Sequence, residues 1–277
     1  MTEEGVLQLI AAHQLTEHTQ VILELLRPAV YFTLGAAGEG LAHSRLGGRP
    51  DLPAELDWPS DEDGAPLTPL LQLSLQDIPV FAGNPFPSSG LLSVFVGLDE
   101  SAWDVPQRVF LFEAESVLAP RPLPENARTS DMLSEVVPHH LKLELGMDLP
   151  RWATAQEDRL TQAMSSEQQS QYWALLRELE PKGTVGRLLG YAAGIGHDPR
   201  QDAYISREVP GMGVDDFARR VELDLNLAEH WQHLLTLNSI NALDLIIWDA
   251  GYLQFLIKDS DLATLEFGQI YAAVETS

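Results

Sequence analysis

The sequence predicts an α+β protein: internally duplicated, β-rich halves with a few helices, behind an N-terminal helical lead-in. Three observations predict it. Apolar runs of strand length cluster (67–75, 91–97 and 109–112 early; 233–237, 244–248 and 252–257 late) instead of alternating with helical patterns, the order expected of α+β rather than βαβ chains. One strong amphipathic helix stands between the clusters. A strand unit also echoes itself: Pro69–Ser74 precedes Gly90–Val96 as His233–Asn238 precedes Gly251–Ile257, each reading strand, connection, glycine, strand. The copies lie too far apart for a solenoid. The expected division is a helical segment 1–27 and a domain 28–277, with halves 28–135 and 136–277.

Residues 2–14 and 16–27 read as two helices. Val6, Leu7, Leu9 and Ile10 share a face of the first; Leu15, Ile22, Leu25 and Leu26 recur at helical spacing in the second, with Thr16 a candidate N-cap and Pro28 the stop. Residues 29–34 read as a short strand. Residues 116–131 hold three prolines and read as a connection, and 132–150 is short and mixed. Ser165 with Gln168 fits a capping box; Tyr172, Leu175, Leu176 and Leu179 form a core-facing stripe, and Pro181 ends it. Gly183–Gly196 reads as a glycine-rich loop. Residues 219–225 join the late strands, 259–267 reads as a short helix or turn, and 269–275 as a closing strand.

The chain is organised around residues 44–76. Gly47-Gly48 permits positive φ or close backbone approach, and Pro50 and Pro53 bias Arg49 and Leu52 toward extended geometry. Trp58 supplies an aromatic anchor, and Asp61-Glu62-Asp63-Gly64 an exposed turn. The plain reading is a stiff loop pinned by Trp58 and leading into a core strand; the sharper one makes the loop a wall of a binding site. The run Ser44-Arg45-Leu46-Gly47-Gly48-Arg49-Pro50-Asp51-Leu52-Pro53, followed by Trp58-Pro59 and Leu70-Leu71-Gln72-Leu73, resembles the bacterial YwqG-like family. Trp231, Leu234-Leu235, Trp248-Asp249-Ala250-Gly251, Tyr252–Phe255 and Asp261-Leu262 agree with it, and Leu188-Leu189-Gly190-Tyr191 is a weaker match. The resemblance covers roughly 28–275. It implies an α+β fold with internal duplication, and no established activity, cofactor or catalytic residue. The chain departs from the family pattern twice: Ala192-Ala193 follow Gly190-Tyr191 where a Pro and then a Gln are expected, and Thr236 stands where the second block has a Gln.

Of 277 residues, 41 are acidic and 17 basic, a formal charge of −24, which disfavours nucleic acid and anionic membranes because phosphate contacts need Lys and Arg. The charge serves solubility and suits a basic protein partner. Without cysteine there is no disulfide, thiolate metal site or cysteine nucleophile. No secretory signal pattern and no apolar run of membrane length occur, so a cytoplasmic protein is expected. Phosphate-cradle patterns are incomplete: Gly194-Ile195-Gly196 lacks a third glycine, and Gly211-Met212-Gly213 opens onto two aspartates. There is no Gly-x-Ser-x-Gly elbow. Glu229-His230-Trp231-Gln232-His233 lacks the spacing and third ligand of a zinc site, and reads as two surface or interface histidines beside a strand start. The 61–64 turn lacks oxygen donors at both ends of a calcium loop. Neither cofactor nor metal is expected.

Six residues are candidate ligand-binding positions: Arg45, Trp58, Gln72, Tyr191, Trp248 and Asp249. Asp249 interrupts an apolar run, where it is either a turn aspartate or a group near Trp58, Gln72 and Arg45 in a cleft between the halves. Two functions compete. The first is a non-enzymatic binding protein with a basic protein partner. The second is a small-molecule binder or enzyme whose site lies between the halves, in a deep tryptophan-lined cleft.

Overall fold

The computed structural model describes residues 3–97, 102–125, 133, 136–213 and 216–276. Residues 126–131 of the expected connection, and Val214-Asp215 beside Gly211-Met212-Gly213, lie outside the described residues. The strands are β1 (Arg27–Ala37), β2 (Arg45–Leu46), β3 (Asp51–Pro53), β4 (Thr68–Ser74), β5 (Leu91–Val96), β6 (Gln107–Phe112), β7 (Leu118–Pro120), β8 (His139–Asp148), β9 (Thr184–Leu189), β10 (Trp231–Asn238), β11 (Tyr252–Lys258) and β12 (Tyr271–Glu275). All but β3 and β7 join one ten-stranded antiparallel sheet, in the order β12-β11-β10-β9-β1-β8-β2-β4-β5-β6. Its ends meet. The Val105 N–H donates to the Ala272 carbonyl at 2.8 Å, and the Val274 N–H to the Ala102 carbonyl at 2.6 Å. The segment before β6 thus covers the edge of β12, and the sheet curls into a nearly closed barrel, which removes exposed strand edges.

One apolar core fills this barrel. Val30, Phe32, Leu73, Val94, Leu188, Leu237, Phe255 and Val274 belong to it together, so strands from the start, middle and end of the chain share one interior. The outer face is covered in patches. Helices α1 (Glu3–Ala12), α2 (Thr19–Leu25), α3 (Ala155–Thr161) and α4 (Ser166–Leu179) form a second apolar cluster around Leu15, Ile22, Tyr172 and Leu175. Helix α5 (Pro199–Glu208) brings Ala203 against Trp231, Leu256 and Tyr271, and the 51–67 segment packs Leu52, Leu67 and Trp58 on Phe95. A short helix, α6 (Asp259–Thr264), follows β11. Coverage on both faces explains why β4, β5 and β12 are buried throughout and read as continuous rather than alternating runs.

Several expectations are corrected. Residues 132–150, read as mixed, contain the ten-residue strand β8, and the loop expected over 183–196 begins with β9. Gly186 interrupts the apolar pattern of β9 because a Cβ there would lie 2.4 Å from the Thr236 carbonyl oxygen. Residues 219–225 form no strand: 3-10 turns at Phe217–Glu222 and Leu225–His230 occupy this stretch. Residues 244–248 form no strand either. Asp244 and Trp248 both take positive φ, so the chain turns while Leu245 and Ile247 point into the core. Thr16 is not an N-cap but opens a 3-10 turn. The capping box at Ser165 forms as expected. No described helix is long and apolar enough to cross a membrane.

Candidate functional site

Arg45 lies in β2, opposite Gln72 in β4, and is 1% exposed. Its Nη1 donates to the Asp51 carboxylate at 2.9 Å and the Gly40 carbonyl at 2.7 Å, and its Nη2 donates to the Arg49 carbonyl. Asp51 also accepts from the Ala42 N–H and from the Gln72 amide. Gln72 completes the knot: its Nε2 also reaches the His43 carbonyl, and its Oε1 accepts from the Asp51 N–H. The chain can wrap around the guanidinium because Gly47 and Gly48 take φ of +66° and +80°. The arrangement clasps a turn; its charge is paired inside the fold.

A second arginine does the same at the other side of the sheet. Arg187 in β9 stands opposite Thr236 in β10 and donates to the Tyr191 carbonyl at 2.7 Å, again four residues on. Leu189 and Gly190 take φ of +63° and +85°. Asp148, at the end of β8, accepts the Tyr191 N–H at 2.8 Å, lies 3.7 Å from Arg187 Nε, and pairs with Arg151. Gln254 from β11 accepts the Ala193 N–H and donates to the Ala193 carbonyl. His233 is buried here, with Nδ1 against the Leu189 carbonyl and Nε2 against Thr236 Oγ1. Burial, and then the Arg187 charge, push its pKa well below the usual imidazole value, so it is neutral. The surface reading of His233 is therefore corrected, whereas His230 is partly exposed and bonds Glu208.

A family model for a domain of unknown function, DUF1963, matches residues 44–275. The chain belongs to the DUF1963 family. A comparison with curated proteins finds no match. The matched region begins one residue before Arg45 and contains both arginine turns of this DUF1963 chain.

The six candidate positions do not form one constellation. Arg45 and Gln72 share the first knot, and Tyr191 belongs to the second. Trp58 donates its indole N–H to the Leu67 carbonyl and packs edge-on against Phe95, 5.9 Å between centroids. Trp248 and Asp249 occupy an exposed turn between β10 and β11. None of the six lines the cavities at 41–44/140–143, 81–85/259–263, 176–184 or 206–212, and none of these cavities is lined by a tryptophan.

The first of these, about 770 Å³, is a notch lined by His43, Ser44, Asp77, Glu113, His140 and Lys142 among others. It exists because β2 is two residues long: β2 pairs with β8 only at His139–His140, while β8 runs on to Asp148. The second cavity, about 360 Å³, lies between the 81–85 loop and residues of β9, β10 and α6. Arg27 stands in its wall, 4.5 Å above the Tyr191 ring, and donates to Gln232 Oε1 at 3.0 Å. Asp259 stands in the same wall, where burial raises its pKa against the lowering effect of the Gln232 side chain and the Arg27 charge. Arg27 and Asp259 do not come within salt-bridge distance, although the Arg27 charge acts on the Asp259 carboxyl.

The sequence reading missed one further polar cluster, under α5. Asp198 caps that helix and pairs with Arg200; Asp202 bonds His197 at 2.6 Å and also pairs with Arg220. The Asp202 hydrogen bond raises the His197 pKa. Glu275 accepts the Ile195 N–H at 3.0 Å, and burial pushes its pKa up to about 7. Asp198-Pro199, an N-cap followed by proline at the first helical position, was the available signal. No group of three or more His, Asp or Glu suited to a metal occurs among the described residues.

Proposed function

We propose that this DUF1963 protein is a non-enzymatic binding protein that takes a small molecule in the cleft between the 81–85 loop and the β9–β10–α6 side. The observation that carries this reading is the Arg27 wall: a guanidinium with no carboxylate at salt-bridge distance among the described residues, backed by an aromatic ring and sharing the cavity lining with Phe81, Leu189 and Leu262. Apolar walls with a few convergent polar groups are the usual composition of a ligand site, and its volume is of ligand size. The motif arginines serve the fold instead, since Arg45 and Arg187 are buried and tied to backbone carbonyls.

The reading includes an internal duplication, YwqG-like in kind, with halves 28–135 and 136–277 that exchange their first strands: β1 pairs with β9, β8 with β2, and β1 with β8 at the centre. Its support is residue by residue. Each half has an arginine, two positive-φ residues at the second and third positions after it, and a guanidinium bond to the fourth carbonyl. A carboxylate at the end of the half's first strand or just after it, Asp148 or Glu39, accepts the fourth N–H. The sixth N–H goes to a glutamine, Gln72 in one half and Gln254 in the other, so Gln254 fills the role vacated at Thr236 from the adjacent strand. On this reading the cleft joins the 81–85 loop of one half to the other half.

A thermal-shift screen against amino acids, sugars, nucleotides and metals tests the function, with Ala263→Trp as the plugged control. A ligand at ~100 times its Kd stabilises the native state by about 2.7 kcal/mol. Hits lost in Ala263→Trp support the cleft; hits that survive it place binding elsewhere. The charge of −24 favours a second reading, a basic protein partner, for which binding weakens steeply with salt.

A further inference from the structure

We propose that the Arg27 cleft binds a free apolar α-amino acid, its carboxylate on Arg27, its ammonium on Asp259 and its side chain against Phe81 and Leu262. The inference rests on the reading of this cleft as the binding site and names what it would take. Three features select that class. The Arg27 guanidinium is a planar donor fork that matches a carboxylate, and the Tyr191 ring 4.5 Å beneath it holds that plane. Tyr191 is itself fixed by its hydroxyl, which donates to the Leu25 carbonyl at 2.5 Å.

The second feature is the placing of Asp259 in the same wall as Arg27, beside Gln232, whose Oε1 accepts from Arg27 at 3.0 Å. The wall therefore carries a cation and an anion together, as a zwitterion carries its own two charges. A ligand with only a carboxylate would be attracted by Arg27 but repelled by Asp259 and by the field of a molecule of charge −24. An amine alone would meet the reverse mismatch at Arg27. The third feature is the remaining wall, Phe81, Pro85, Leu189 and Leu262, which offers an aliphatic or aromatic side chain a surface without donors. The cavity of about 360 Å³ has room for one such amino acid.

Calorimetric titration of the full chain with leucine, methionine and phenylalanine, and with N-acetyl-leucine and leucinamide, tests the proposal. At least one free amino acid is expected to bind. Leucine should bind at least about tenfold more tightly than either capped form if both charges are read. Arg27→Met should weaken leucine about as much as capping its carboxylate does and abolish the preference for leucine over leucinamide; Asp259→Asn should do the same for N-acetyl-leucine. Free and capped forms binding alike, with Ala263→Trp abolishing all of them, would overturn the amino-acid class while leaving the cleft a binding site. Leucine binding indifferent to Arg27→Met would overturn the proposal. No heat from any probe at about 10 mM, a concentration that detects even millimolar Kd, would overturn the amino-acid class; if the wider screen also gives no hit sensitive to Ala263→Trp, the cleft reading falls with it.

Discussion

Replacing Arg45 with Met removes the charge of the first arginine turn and keeps most of the stem. Asp51, whose side chain is wholly buried, then loses its cation, and the Gly40 and Arg49 carbonyls lose a donor. Removing one partner of a buried ion pair costs about 3–5 kcal/mol. Each abandoned carbonyl adds up to about 1 kcal/mol, so the upper part of that range is expected. The assay is urea unfolding at neutral pH, followed by intrinsic tryptophan fluorescence and by circular dichroism so that two-state behaviour is checked. The double variant Arg45→Met/Asp51→Leu should lose less than the sum of its single variants, because it leaves no unpaired charge. An Arg45→Met protein within about 1 kcal/mol of wild type that nevertheless fails to bind ligand would refute the reasoning. Arg45 would then belong to a site rather than to the fold.

Glu275→Gln should change how stability depends on pH. The folded pKa of about 7 lies above the ordinary 4.5, so the contribution of wild-type Glu275 is fully present below 4.5 and lost as pH rises through 7. That shift corresponds to about 3 kcal/mol, and the stability of Glu275→Gln relative to wild type should rise by that order between pH 4.5 and 8. Parallel curves of denaturation midpoint against pH would contradict the burial of this carboxyl. Gly190→Ala should destabilise by more than 1–2 kcal/mol, roughly the left-handed penalty alone, because its Cβ would also fall 2.5 Å from Asp148 Oδ2. A smaller loss by urea unfolding would mean that the Asp148 carboxylate can move aside.

The strands with strong apolar runs, β4, β5, β10 and β11, were legible because burial on both faces leaves continuous Leu, Val and Phe. Strand β8 was equally legible in principle: Leu141, Leu143, Leu145 and Met147 alternate with Lys142, Glu144 and Gly146, a period-two pattern passed over. Strand β9 was not, since Gly186 is dictated by the close approach of β10, a tertiary fact with no local signal. The 244–248 run misled because its two inward residues, Leu245 and Ile247, are core residues of a turn. Arg45 and Gln72 were singled out by the family resemblance as candidates for a cleft with Trp58 and Asp249, and the structure joins these two through Asp51 in a buried knot. Arg27, Gln232 and Asp259 were invisible as a group. They come from the start of β1, the start of β10 and the first residue of α6, and only the sheet order brings them to one wall.

The most direct test of the binding account is a map of backbone amide chemical shifts while leucine is titrated into the isotopically labelled protein. The account predicts that the perturbed amides cluster at 81–84, 189–190, 232–233 and 259–263, around the Arg27 cleft. Perturbations gathered instead at 41–44, 113–118 and 140–143, around the notch beside β8, would contradict it.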